Sequence, residues 1–262
     1  MTATTRTARR GGGLPGAVAA EWTKLWSVRS TWWCLLGAAA VMAAVCAQLA
    51  VSHVYDNTHP DRPHPGVESA GEVAISAVGL VQVVMLAVAM TVITSEYSTG
   101  LIRSTLLWTP VRRRLLLAKA VVLVPVMFAV GTVLGLLGAG AASPLLGRWG
   151  TFPVPDVIAD AMAVGTYAAV AGVFTLGVGA VLRSAVGTLT TVFLVLMVLP
   201  TLLGAVGGPG EKAGRVLPSV AGDHFMRGDA HPYGPMVGLA VTVGWAAIAM
   251  LAGAWVLHRR DA

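Results

Sequence analysis

The chain has 262 residues, 56% of them hydrophobic and 11% charged, with a formal net charge of +6. Soluble domains carry roughly a quarter of their residues charged, whereas six apolar runs here each approach the roughly 20 residues that cross a hydrocarbon core as a helix. A soluble fold is excluded, and the fold class that follows is an all-α polytopic membrane protein with six transmembrane helices.

Residues 1–13 are small, polar and basic, the composition of a disordered arm. Over 14–30 the pattern changes: Val18, Trp22, Leu25 and Trp26 recur on one helical face while Glu21, Lys24 and Ser27 point elsewhere. This predicts an amphipathic interfacial helix, with tryptophans suited to the headgroup level; a plain cytosolic extension of the first span is the other reading. The six-span domain is expected over 31–258, with spans at 32–52, 73–94, 120–142, 161–182, 186–206 and 236–257, and residues 259–262 as a tail. The first run is too long, and begins too late, for a cleaved signal segment. Cys34 and Cys46 both fall within it, roughly 18 Å apart along a helix at 1.5 Å per residue, too far for a disulfide.

The connection His53–Glu72 is rich in Pro, Asp and His and reads as an exposed irregular loop. His53, His59 and His64 with Asp56 and Asp61 match no standard zinc spacing, so no metal site is expected. Between the second and third spans lies Ser95–Lys119, SEYSTGLIRSTLLWTPVRRRLLLAK, which reads as a short helix, a turn at Thr109-Pro110 and the basic start of the next span. It is the segment most suited to contact with another protein. About three residues around Arg183 separate the fourth and fifth spans, making those helices antiparallel neighbours. Gly131 and Gly135, and Gly172, Gly177 and Gly179, suit close helix packing, while Pro125 and Pro200 are candidate kinks. The last connection, 207–235, either dips into the membrane edge as short helices or forms a cap.

Lysine and arginine divide 13 to 5 between the two sides implied by six spans, with both termini on the richer side. The positive-inside rule places that side in the cytoplasm of a cell membrane. The same juxtamembrane charge attracts anionic lipid, at about 1 kcal/mol per basic residue, and is not a nucleic-acid signature.

No Asp, Glu, Lys or Arg lies at the middle of any span, where an ion-coupled carrier would need one. Midspan polar groups are limited to residues such as Ser76, Gln82, Thr91, Thr166, Tyr167 and Thr175. Gln82, Thr91, Thr166, Tyr167 and Thr175 either satisfy one another between helices or line a weakly polar route. No P-loop, HExxH or GxSxG is present; the run Gly11-Gly12-Gly13 lacks the following lysine and hydroxyl. The chain is expected not to be an enzyme and to bind no cofactor.

Glu96-Tyr97-Ser98-Thr99-Gly100-Leu101-Ile102-Arg103, then Thr109-Pro110-Val111-Arg112 and Lys119, resemble a recurring segment of type-2 ABC exporter permeases. Leu101 departs from the commoner threonine after the glycine. Glu21-Trp22-Thr23-Lys24-Leu25 and Val28–Trp33 are similar to the start of actinobacterial-type members. The resemblance implies a permease subunit that forms a homodimer or heterodimer and binds a cytosolic ABC ATPase, where the ATP is held. It also implies a coupling helix over Glu96–Trp108, making Glu96, Tyr97, Gly100, Arg103, Trp108, Pro110 and Arg112 the ATPase-coupling residues. Independently, Glu96 and Arg103 lie two turns apart on nearly one side of a helix, while Leu101, Leu106 and Leu107 can grip the membrane domain. Two alternatives stand beside this reading: a non-transporting immunity or scaffold protein of the same fold, and a membrane-embedded enzyme using His53, Asp56 and His59 at the outer face.

Overall fold

The computed structural model of the chain describes residues 13–98 and 112–259. Among the described residues six helices are long and apolar enough to cross a membrane, and the all-α polytopic architecture holds. The described α-helices are, in chain order, α1 (Gly13–Ser27), α2 (Arg29–Thr58), α3 (Ala70–Ser98), α4 (Arg112–Leu146), α5 (Val154–Leu182), α6 (Ala185–Phe193), α7 (Leu199–Val206), α8 (Gly208–Gly214), α9 (Pro218–Arg227) and α10 (Pro235–Arg259). A π-helical turn, Leu194–Val198, joins α6 and α7 into the fifth span. Two two-residue strands, β1 (Glu68–Ser69) and β2 (Gly150–Thr151), pair in parallel and tie the connections after α2 and α4 together.

Small residues set the helix order. A Cβ added at Gly131 of α4 would lie 2.6 Å from that of Ala168 in α5, and one at Gly177 of α5 would meet the Ala249 backbone of α10 at 2.5 Å. Helices this close exclude side chains from the contact, so the glycines here define packing between helices of one chain. α5 therefore lies between α4 and α10 and also packs on α3. The fifth span is its opposite: 11% of its most apolar stretch is buried, against 61% for α3. Its π turn carries the Leu199 N–H to the Leu194 carbonyl just before Pro200, which has no N–H to give.

The helices run past the apolar stretches that announce them. α2 continues to Thr58 and α3 begins at Ala70, so much of the connection expected to be irregular is helical. The polar ends of α2 are satisfied locally. The Asn57 side chain accepts from Gly66 N–H at 2.8 Å and donates to Gly66 O and His53 O, and the Thr58 hydroxyl donates to Val54 O. The 207–235 connection forms two short helices, α8 and α9, with α9 packed on α10, α5 and α3. Trp22, Trp32, Trp33 and Trp255 are exposed near the ends of α1, α2 and α10 that share one side of the bundle, where interfacial indoles belong.

Candidate functional site

The coupling residues Gly100, Arg103, Trp108 and Pro110 lie outside the described residues. Glu96 and Tyr97 fall on the last turns of the α3 backbone and Arg112 opens α4; the side chains of these three also lie outside them. What the structure does describe is how the two helices bearing this segment are held.

α1 docks against α4 through an ion pair. Lys119 Nζ is 2.7 Å from Glu21 Oε2, and both side chains are buried, at 0% and 5% exposure. Lys119 Nζ also donates to Val92 O of α3 at 3.0 Å, and Lys24 Nζ reaches Glu21 Oε1 at 3.2 Å. The sequence reading turned Glu21 away from the apolar face; the structure turns it inward and leaves Trp22 half exposed. Its reason is Lys119, since a buried ammonium needs a counter-charge and full hydrogen bonding. Leu25, one turn on, is buried beside it. The extended Val28 (φ −91°, ψ 119°) then redirects the chain into α2, and Trp26 bridges the bend, its ring 5.7 Å from Trp22 and 5.2 Å from Trp32. A glutamate in phase with Leu25, together with a lone lysine five residues beyond Arg114, was the available signal for this pair.

The midspan polar residues do not converge. Thr91, Thr166 and Thr175 each donate to a carbonyl of their own helix, those of Val88, Met162 and Ala171. Only Gln82 and Tyr167 meet: the Tyr167 hydroxyl donates to Gln82 Oε1 at 2.5 Å, both residues being buried. They form the floor of a cleft of about 370 Å³ between α3, α5, the fifth span and α9.

Beside that cleft Arg227 closes α9 onto α3. Its guanidinium reaches Asp223 at 3.0 Å, Ser76 Oγ at 3.1 Å and Glu72 at 3.4 Å. Burial alone would lower the Arg227 pKa, but Asp223, Glu72 and Asp229 outweigh it and hold the group above its ordinary value.

The chain matches the family described as ABC-2 family transporter protein over residues 17–199, from α1 to the start of α7. It belongs to the ABC-2 transporter family. No curated protein matches it. The protein is thus a type-2 ABC transporter permease, an integral multi-pass membrane component that is not itself the catalytic subunit. The matched stretch contains Glu21, Lys119, Gln82 and Tyr167, and ends before α8 and α9.

In the permease His53 and His59 make local contacts around the connection after α2. His53 Nδ1 is 2.8 Å from Glu68 and its Nε2 2.9 Å from Gly66 O, while the His59 ring stacks on Tyr55 at 3.7 Å. No cluster of three or more His, Cys, Asp or Glu able to hold a metal occurs among the described residues. Cys34 and Cys46 are both free.

Proposed function

We propose that the permease is the membrane half of an ATP-driven exporter in the cytoplasmic membrane, with both termini in the cytoplasm. Two permease subunits, identical or related, form the route, and a separate cytosolic ABC ATPase binds the ATP. The segment Glu96–Trp108 seats on that ATPase, with Glu96, Tyr97, Gly100, Arg103, Trp108, Pro110 and Arg112 at the contact.

The observation that carries this reading is the Glu21–Lys119–Val92 junction. Val92 precedes the coupling segment and Lys119 follows it, so one buried ammonium joins the helices on both sides of the segment to α1. A push on the segment would move three helices together rather than bend one loop, which is what transmission of ATPase closure requires. The 13-to-5 charge bias supports the orientation. Gln82 and Tyr167 are the polar groups best placed beside a route, while Thr91, Thr166 and Thr175 have the weaker case because their hydroxyls bond to their own helices.

Purification from native membranes in mild detergent, followed by mass spectrometry, tests this. A stoichiometric soluble partner with a P-loop is the expected result. A lone homo-oligomer, with crosslinking also finding no ATPase, would return the non-transporting immunity or scaffold reading.

A further inference from the structure

The outer cleft has an unbalanced chemistry. Its volume of about 370 Å³ lies within the range of small-molecule sites. Its walls are apolar and include Met197 and Met226, whose unbranched, polarisable side chains adapt to different shapes. The Tyr167 and Thr201 hydroxyls and one Gln82 N–H on those walls have committed their donors to the protein. The Tyr167 hydroxyl donates to Gln82, Gln82 Nε2 donates to Gly79 O, and the Thr201 hydroxyl donates to Met197 O. What remains leans to acceptors: lone pairs on the Tyr167 and Thr201 oxygens and the Asp223 carboxylate oxygen that Arg227 does not hold, against one further Gln82 N–H. Ser219 adds a buried hydroxyl, able to donate or accept, with no partner in the structure. A buried polar atom left in that state destabilises the fold, a cost that a ligand's polar group would remove.

The charge around the cleft has the same sense. Arg227 is the cation there, and Asp223, Glu72 and Asp229 all act on it, so carboxylates outnumber the guanidinium three to one. An anionic headgroup would meet Asp223 with no uncommitted cation opposite it. An ammonium would find the carboxylate and several lone pairs. The cleft is also open at its rim, since Gly79, Leu80 and Thr201 are exposed, so a molecule can enter from the lipid-facing side without passing through the bundle.

We propose that this cleft binds an amphiphilic amine, with its ammonium on Asp223, Ser219 and Tyr167 and its apolar body on Val78, Leu196 and Met226. The proposal rests on the export reading and names the substrate class at the route's outer end. It uses α9, which lies beyond the matched family stretch.

The test uses the full-length permease in lipid nanodiscs and dansylcadaverine, a fluorescent amphiphile with a primary amine, with an N-dansyl amino acid of similar length as the anionic control. The expected result is saturable binding of the amine, no competition by the acid, and affinity weakened roughly tenfold or more by Asp223→Asn, the scale of a lost hydrogen bond to a charged group. Because Asp223 also holds Arg227, Thr201→Trp at the exposed rim provides a second variant, which should block the cleft and abolish binding while the folded protein persists. Equal binding of amine and acid, or amine affinity unchanged in both variants, would overturn the proposal and leave the cleft as a seat for a lipid chain or a second subunit. An ATPase that co-purifies while the amine fails to bind would leave the export reading standing and remove only the substrate class.

Discussion

Glu21 and Lys119, 98 residues apart in sequence, meet at 2.7 Å in a buried ion pair that fastens the N-terminal helix to the start of the third span. Desolvating two charges is expensive, and their attraction offsets this only when each also has further hydrogen bonds. Here Lys24 supplies one to Glu21 and Val92 O accepts one from Lys119. Such a pair is weak evidence for net stability, but breaking it from one side leaves a buried charge.

Lys119→Ala is accordingly expected to destabilise the permease by about 3–5 kcal/mol, read as a lowered unfolding midpoint in detergent. Glu21→Leu combined with Lys119→Met should recover most of that loss, because two apolar groups leave no charge behind. A double variant as unstable as the sum of its single variants would show that the two residues act separately.

If the same pair also transmits force, the repaired double variant should separate stability from coupling. Its midpoint should lie near that of the wild type while substrate-stimulated ATPase activity of the reconstituted complex remains well below it. Full stimulation in the double variant would confine the pair to a structural role.

Little of this junction could be read from the chain beforehand. Six apolar runs and a basic bias are one-dimensional signals, and they suffice for span number and class because a bilayer requires about 20 apolar residues per crossing. Helix ends were less legible. His53, Asp56 and Asn57 look like loop residues, yet bonds to Gly66 and Glu68 extend α2 through them. Glu21 was misplaced because an apolar-face count assigns charged residues outward, and its phase with Leu25 hints at burial without naming a counter-ion 98 positions away. Gln82 and Tyr167 were both visible as midspan polar residues, but which of five would pair depended on helix rotations that no periodicity reports.

Tyr167→Phe removes the donor to Gln82 Oε1 and leaves a buried acceptor unsatisfied. A loss of about 1–3 kcal/mol is expected, measurable by thermal unfolding in detergent. A change below about 0.5 kcal/mol, small against the typical net value of one hydrogen bond, would mean that water already satisfies Gln82.

Gly177→Val would place a branched side chain where even a single Cβ would lie 2.5 Å from the Ala249 backbone. Separation of α5 from α10 should lower stability by about 1–3 kcal/mol or more, with loss of the monodisperse species in size-exclusion chromatography. Gly204→Val in α7, where nothing lies within 4 Å of the added Cβ, should behave like the wild type.

Glu96→Ala with Arg103→Ala should insert and fold normally yet lose most of the substrate-stimulated ATPase activity. Reconstituted complex in vesicles, assayed with and without the double substitution, provides the comparison; unchanged stimulation would place coupling elsewhere in the chain.

The most direct test of the coupling assignment is a photo-crosslinking amino acid placed at position 103 in the full-length permease, in intact cells, with the same residue at position 212 in α8 as the opposite-side control. The account predicts that position 103 captures a soluble protein carrying a P-loop and that position 212 does not. Capture of no such protein at 103, or equal capture at 212, would contradict both the coupling role of Glu96–Trp108 and the cytoplasmic placement of that face.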